Sequence, residues 1–298
     1  MEGTQTRVTV QHCPVCSAPA QHRFEKHGHA IHSCSGCGLV FTVGPWSLAQ
    51  ARLFYGRDYF RGATPEGYTD YAGLDLALRR TARRRLRRLP PGGRLLDIGC
   101  ATGTFIAETQ AVYRAAGTDI SFDACRVARS RGLDVVVTDA AALPFASASH
   151  DVITMWDTLE HIADPVAVLA EVARVLRPGG TLALTTGDVS SWCARRSGRR
   201  WHLYTVPEHR YFFSPHSLIR MFDRVGLRRT ACYHEGGYYS LAYLFERVVK
   251  SLGASAGAIE RLHQWRCLRE ASLYVNLFDI MTVEAVRAAS PKPREVQS

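Results

Sequence analysis

From Arg94 to Thr186 short apolar runs alternate with stretches of helical pattern, and that alternation restricts the fold more than any other feature of the chain. The runs are RLLDIG, AAGTDI, LDVVVTD, DVITMWD and TLALTT. Strands that return in one direction through helices build a parallel sheet covered on both faces. Pro165 to Leu176 predicts one crossover helix. Asp164 caps it, Pro165 fills its first turn, Val168, Leu169, Val172, Val175 and Leu176 point inward, and Pro178-Gly179-Gly180 stops it. Ser214-Pro215 opens another helix through Phe222, and LRRTACYH reads as a strand. Residues 236 to 270 read as a partly apolar helical insertion, and SLYVNLFDIMTVEAVRA as a final strand or strand pair.

The first three runs each end in an acid, Asp97, Asp119 and Asp139, and the fourth ends in Met155-Trp156-Asp157. Ligands of open α/β sheets bind outside the carboxyl ends of the strands, so these residues converge on one crevice. The turn after Asp97 reads Gly99-Cys100-Ala101-Thr102-Gly103, which lacks both the three spaced glycines of a dinucleotide turn and the lysine of a phosphate loop. Asp97 would repel a phosphate but favour a cationic ligand. S-adenosylmethionine, with an ammonium, a sulfonium and no phosphate, fits that requirement. Gly99 and Gly103 are expected to keep side chains out of its path. Asp97 would accept hydrogen bonds from backbone amides or from water around the methionine ammonium. Asp119 would take both ribose hydroxyls and Asp139 the adenine amine, with Ala140, Ala141 and Leu143 beside the ring. Cys100, Ile120, Trp156 and Tyr59 complete the expected cofactor contacts.

Four of the nine cysteines form two pairs, Cys13-Pro-Val-Cys16 and Cys34-Ser-Gly-Cys37, with seventeen residues between them. That spacing predicts a tetrahedral thiolate site for a structural zinc with no open position for catalysis. Cys100, Cys125, Cys193, Cys232 and Cys267 stand singly and read as small apolar fillers. Three segments follow from this: a zinc ribbon over 1–44, a helical and aromatic linker forming a cofactor lid over 45–90, and a catalytic domain over 91–298 with the insertion at about 236–270.

The formal net charge is +10, from 37 Lys and Arg against 27 Asp and Glu. Only Lys26, Lys250 and Lys292 are lysines, and the cations form no long stripe or tail of the kind nucleic-acid binders carry. Nucleic acid is therefore not the expected partner. Seven arginines fall between Arg79 and Arg88, on a helix ended by Pro90 and Pro91. They read as a solvated face, or alternatively as a surface for an anionic substrate or partner. Neither an export signal nor a membrane span is indicated, which makes the cytoplasm the default expectation.

LLDIGCATGTF resembles the glycine-rich first motif of class I S-adenosylmethionine-dependent methyltransferases. GTDIS is similar to their ribose acid, TDAAALPF to their adenine motif and LRPGGTLALTT to the passage into their fifth strand. The resemblance covers roughly residues 91 to 235, and YVNLFDIMTVEAVRA is similar to their closing antiparallel strand. It implies a Rossmann-like, doubly wound sheet of seven strands with the last strand antiparallel between the fifth and sixth. The zinc ribbon followed by YGRDYF resembles a branch acting on sugars, glycans and specialised metabolites, including deoxysugar C-methyltransferases. In ubiquinone-type O-methyltransferases and small-RNA 2′-O-methyltransferases an acid-x-x-Glu-His motif and a distant histidine hold a divalent metal. Asp157, Glu160, His161 and His209 are similar in type and order, with a shorter acid at Asp157.

These features lead to methyl transfer onto an oxygen of a small metabolite, sugar or glycan. His161 is the first choice of base, since an imidazole of ordinary pKa near ~6.5 can accept a hydroxyl proton at neutral pH. Glu160 and His209 are placed beside it. In WCARRSGRRWHLYTVPEHRYFF, Arg195, Arg196, Arg199 and Arg200 would clamp a phosphate-bearing acceptor while Trp192, Trp201, Tyr204 and Tyr211 stack on a ring. Tyr55, Tyr59, Tyr68 and Tyr71 would form a lid. The alternatives are an RNA-modifying enzyme gripping through the ribbon and the arginine helix, C-methylation of a nucleotide deoxysugar, and a catalytically silent partner subunit.

Overall fold

The computed structural model describes residues 11–44, 48–56, 75–251 and 265–288. Tyr59, Tyr68 and Tyr71, expected in the lid, lie outside the described residues. The ribbon segment contributes four strands, β1 (Gln11–His12), β2 (Pro19–Lys26), β3 (His29–Cys34) and β4 (Val40–Thr42). Helices α1 (Leu48–Phe54) and α2 (Asp75–Leu86) follow. The alternating part runs β5 (Arg94–Ile98), α3 (Thr104–Thr109), β6 (Arg114–Asp119), α4 (Phe122–Ser130), β7 (Val135–Val137), β8 (His150–Trp156), α5 (Pro165–Val175) and β9 (Leu176–Gly187). After it come α6 (Trp192–Ser197), β10 (Tyr211–Phe212), α7 (Pro215–Val225), β11 (Leu227–His234), β12 (Gly237–Ser240), α8 (Leu241–Ser251), α9 (Arg266–Glu270), β13 (Ser272–Val275) and β14 (Ile280–Arg287).

Seven strands form the main sheet in the order β11-β14-β9-β8-β5-β6-β7. β14 runs antiparallel to both β9 and β11, while β5, β6, β7, β8 and β9 are parallel. The fold is the doubly wound seven-stranded sheet that the motifs imply, with its closing strand inserted where expected. The central strands are apolar because helices cover both faces: Leu95, Leu96, Ile153, Leu182 and Leu184 are all buried. Asp164 accepts hydrogen bonds from the amides of Val166 and Ala167 at 3.0 Å, as its predicted cap position requires. That helix ends one residue early, and β9 begins at Leu176 because Leu176 pairs with His150 of β8.

Two boundaries differ from the expectation. The segment from 236 to 270 is not purely helical: β12 pairs with β13 in a two-stranded sheet that brackets α8 and α9. The ribbon sheet does not close on itself, because its fifth strand is β10, antiparallel to β4 with Tyr211 opposite Phe41. Cys13, Cys34, Cys37, Leu39 and Phe41 share one buried cluster with Leu159, Tyr211, Phe213 and Met221. Among the described residues no helix is long and apolar enough to cross a membrane.

Candidate active site

The carboxyl ends of β5, β6, β7 and β8 open into one cavity of about 490 Å³, closed on the far side by α2 and residues 235–243. Asp97, Gly99, Cys100, Asp119, Ile120, Asp139, Ala140 and Trp156 all line it. Asp97 sits opposite Thr154 across the β5–β8 pairing, and its Oδ1 accepts the Thr154 hydroxyl at 2.7 Å. Burial raises its pKa to about 7, against the Thr154 hydrogen bond and the nearby Arg85 charge, which lower it. Asp119 accepts the Ala101 amide on Oδ2 and the Ser121 amide on Oδ1, each at 2.8 Å, so the turn and the start of α4 fix the carboxylate. Each of its oxygens keeps lone-pair capacity for a ligand hydroxyl. Asp139 accepts the Ala141 amide at 3.0 Å.

The two glycines of the turn have different reasons to be glycine. Both lie in the left-handed region, with φ 76° at Gly99 and 80° at Gly103. A Cβ on Gly99 would strike the Thr158 side chain, itself part of the cavity wall. A Cβ on Gly103 would strike Leu133 and press on Ala128, so Gly103 serves packing of the turn onto α4 and lies outside the cavity wall. It was expected to clear the cofactor's path; the left-handed turn points it into the core instead.

At the opposite end of the cavity, Glu160, His161 and His209 present ligand atoms all within 4.8 Å of one another. His209 Nδ1 lies 2.8 Å from the Leu203 carbonyl, which can only accept, so Nδ1 carries the proton and Nε2 keeps its lone pair. His161 Nδ1 is 3.2 Å from the Glu208 carbonyl and 2.9 Å from the Tyr55 hydroxyl. Desolvation lowers His161 to about 4 and His209 to about 3. His161 is therefore a far weaker base than its ordinary pKa suggested. Glu160 is 3% exposed, and burial, then the charge of Asp157, raises it to about 8. Its Oε2 is buried without a hydrogen-bond partner. Two neutral imidazoles and a glutamate with an unpartnered oxygen form a donor set that fits a divalent cation. Asp157 does not join them. It lies at φ 52°, and its carboxylate accepts the Thr185 hydroxyl at 2.8 Å and pairs with Arg85 at 3.1 Å.

The arginine-rich helix is a half-exposed face most of whose arginines are ion-paired within the chain. In α2, Arg79 and Arg83 pair with Glu108, Arg84 pairs with Glu235, and Arg85 pairs with Asp157 while lying 4.7 Å over the Trp156 ring. Arg88, just beyond the helix, also reaches Glu235. The expected acceptor platform is likewise corrected. Trp201, Tyr204 and Tyr211 are 1%, 4% and 4% exposed and belong to the core, and the Trp201 indole N–H donates to Asp279 at 2.9 Å. Trp192 is exposed, as are Arg195, Arg196, Arg199 and Arg200. From that segment only Leu203, Glu208 and His209 line the cavity. The sequence reading missed Arg85, Glu235 and the run Gly236-Gly237-Tyr238-Tyr239, with Tyr243, all in the wall. The glycine pair followed by tyrosines was the available signal.

The four ribbon cysteines gather with their sulfurs within 4.8 Å of one another. Cys13 and Cys37 sulfurs are 3.6 Å apart, and those of Cys16 and Cys34 3.3 Å. Amides of Gly36 and Cys37 point at Cys34 Sγ at 3.3 Å, the amide-to-thiolate arrangement of a metal knuckle. Of the single cysteines, Cys100 and Cys125 are buried fillers, while Cys267 is exposed.

A family model described as a methyltransferase domain matches residues 72–232. The ubiquinone biosynthesis O-methyltransferase of Idiomarina loihiensis is 32% identical over 158 residues, 47% of this chain and 63% of that protein. An O-methyltransferase of Pyrenophora dematioidea is 31% identical over 182 residues, 56% of this chain and 66% of its own length. The chain thus spans just under two thirds of these curated relatives. Among solved structures, a SAM-dependent methyltransferase of Thermotoga maritima superposes with a TM-score of 0.52 at 19% identity, covering 77% of this chain and 98% of that one.

Proposed function

We propose that this chain, which belongs to the methyltransferase-domain family and is a class I S-adenosylmethionine-dependent methyltransferase, methylates an oxygen of a small-molecule acceptor held against Glu160, His161 and His209. One observation carries the reading. The strand-end acids Asp97, Asp119 and Asp139 and the Glu160, His161, His209 group line a single cavity, so a donor at one end meets an acceptor at the other. The resemblance to O-methyltransferases supports oxygen as the atom that receives the methyl group.

S-adenosylmethionine, when bound, supplies an electrophilic methyl on a sulfonium. Asp97 faces a cationic ligand from the floor of the cavity, Asp119 offers acceptors to a diol, and Asp139 to an exocyclic amine. Trp156, packed edge-on against Phe105 at 5.2 Å and covered by Arg85, excludes water between the two ends. The acceptor oxygen attacks the methyl carbon, the carbon–sulfur electrons stay on sulfur, and the hydroxyl proton is released to water. A divalent cation held by Glu160, His161 and His209 would lower the pKa of the acceptor hydroxyl. Cys13, Cys16, Cys34 and Cys37 hold a structural zinc in this reading, supported by the convergence of four sulfurs. Five of the seven arginines between Arg79 and Arg88 pair with Glu108, Asp157 or Glu235, which weighs against an RNA substrate gripped by that helix.

The test is transfer of a labelled methyl group from S-adenosylmethionine to a panel of hydroxylated, amino and carbon acceptors, run beside Glu160→Gln. Product from hydroxylated acceptors, with Glu160→Gln slowed on the order of 10²-fold at unchanged cofactor affinity, is the expected result. Transfer confined to amines, or a variant as fast as the parent, would overturn it.

A further inference from the structure

We infer that the four-cysteine ribbon is a positioning element for the transfer site and acts on Glu160 and His209 through the backbone of a single residue, Arg210. The inference rests on Glu160, His161 and His209 being that site. The second knuckle sets the start of β4, because the Cys34 amide donates to the Leu39 carbonyl at 2.8 Å. β4 then lends its free edge to β10. Just before β10, the Thr42 N–H donates to the Arg210 carbonyl at 2.9 Å, and the Arg210 N–H donates to the Glu160 carbonyl at 2.9 Å. The Arg210 guanidinium also donates to the Gly44 carbonyl at 3.2 Å. One residue beyond, the Tyr211 hydroxyl donates to the Ala163 carbonyl at 2.8 Å, so both ends of the 160–163 loop are tied to the same short strand. His209 immediately precedes this node.

A strand of two residues has no stability of its own; its geometry is set by what it pairs with. Its partner is β4, whose other edge is β3, which ends at Cys34. The metal-binding knuckle therefore reaches the transfer loop through consecutive backbone hydrogen bonds. The cofactor end has different anchors: Asp97 is held by Thr154, and Asp119 by Ala101 and Ser121, all within the main domain. Loosening the ribbon should release the transfer loop while leaving cofactor contacts in place.

Thr42 permits a clean test in the full chain. Its hydroxyl is buried with no hydrogen-bond partner, so Thr42→Val keeps the N–H and loses nothing that is paired, while Thr42→Pro deletes the N–H donated to Arg210. Hydrogen exchange and imidazole NMR signals of His161 and His209 are read in both variants, with S-adenosylmethionine affinity and metal content measured alongside. In Thr42→Pro, amides of 159–163 and 208–212 should exchange about tenfold faster and both histidine signals should shift, with cofactor affinity within about twofold. Thr42→Val should match the parent. Chelating the metal from the parent should accelerate the same amides and spare 95–105. Unchanged exchange at 159–163 in Thr42→Pro would overturn the inference. So would metal removal that accelerates 95–105 as much as 159–163, which would make the ribbon a general support of the fold. The Thr42 arm needs no metal and no acceptor, so failure of the proposed oxygen transfer would show separately, in the labelled-methyl assay.

Discussion

The two ends of the cavity are built in opposite ways. At the cofactor end each ligand-facing acid sits within two residues of the end of its own strand, and its restraints come from an adjacent strand, Thr154, or from the turns at the strand ends, Ala101, Ser121 and Ala141. At the transfer end the wall is gathered from Tyr55, Arg85, Glu160, His161, Leu203, His209, Glu235 and Tyr239, which span most of the chain. Local construction keeps a site fixed by the geometry of a few strands. Distributed construction lets the acceptor pocket respond to changes in distant segments, at the cost of depending on all of them.

The largest expected effect comes from a change that ignores the division. Gly99 belongs to the cofactor turn, yet the space above its Cα is filled by Thr158, two residues from Glu160. Gly99→Val, strained in the left-handed region and overpacked against Thr158, should cost about 2–4 kcal/mol of stability and abolish cofactor binding. Urea denaturation and calorimetry would check it; a stable variant that binds would show the ends to be independent even here. Next is a pH effect confined to the cofactor end. Proton and cation compete for Asp97, whose pKa burial raises to about 7, so affinity for S-adenosylmethionine should fall as pH drops below about 7, by up to about tenfold per unit. Calorimetry from pH 8 to 5.5 should show this slope in the parent and a flat, weak response in Asp97→Asn.

A smaller effect should appear at the transfer end. Glu235 is buried between Arg84 and Arg88, whose side chains are 40% and 44% exposed. Solvent screening therefore limits the loss in Glu235→Gln to about 1 kcal/mol, and the loss should shrink in 1 M salt. Comparing urea midpoints at low and high salt would measure it. The smallest effect sharpens the boundary of the site: the double change Arg199→Ala with Arg200→Ala, outside the cavity wall, should leave turnover within about twofold. A tenfold drop would bring that segment back into the acceptor site.

The same division explains what could be read in the chain. The order of strands and the positions of Asp97, Asp119 and Asp139 follow from local pattern, since a strand end is also a sequence position. The cysteine knuckles were legible for the same reason. Gly103 was misassigned because a glycine's sequence position does not say which way the absent side chain would point. Trp201 read as a stacking platform because its partner, Asp279, lies 78 residues away. The ion pairs of the α2 arginines were not legible because Glu108, Asp157 and Glu235 lie far apart along the chain. His161 and His209 were identified as residues, but their weakened basicity follows from an enclosure that only the folded chain creates.

Those three acids have one further consequence. They fasten α2 against the cavity with ion pairs that each leave one partner wet: Arg79 and Arg83 are 41% and 53% exposed against a Glu108 that is 7% exposed, and Arg85 is 17% exposed against an Asp157 that is 47% exposed. Dissolved salt shortens the reach of charge from about 10 Å at 0.1 M to about 3 Å at 1 M and so acts on pairs with one partner in water. As the medium grows more concentrated, all of these fastenings should weaken together. Entry to the cavity is then tuned by the ionic composition of the surroundings, much as a door's stiffness depends on the weather.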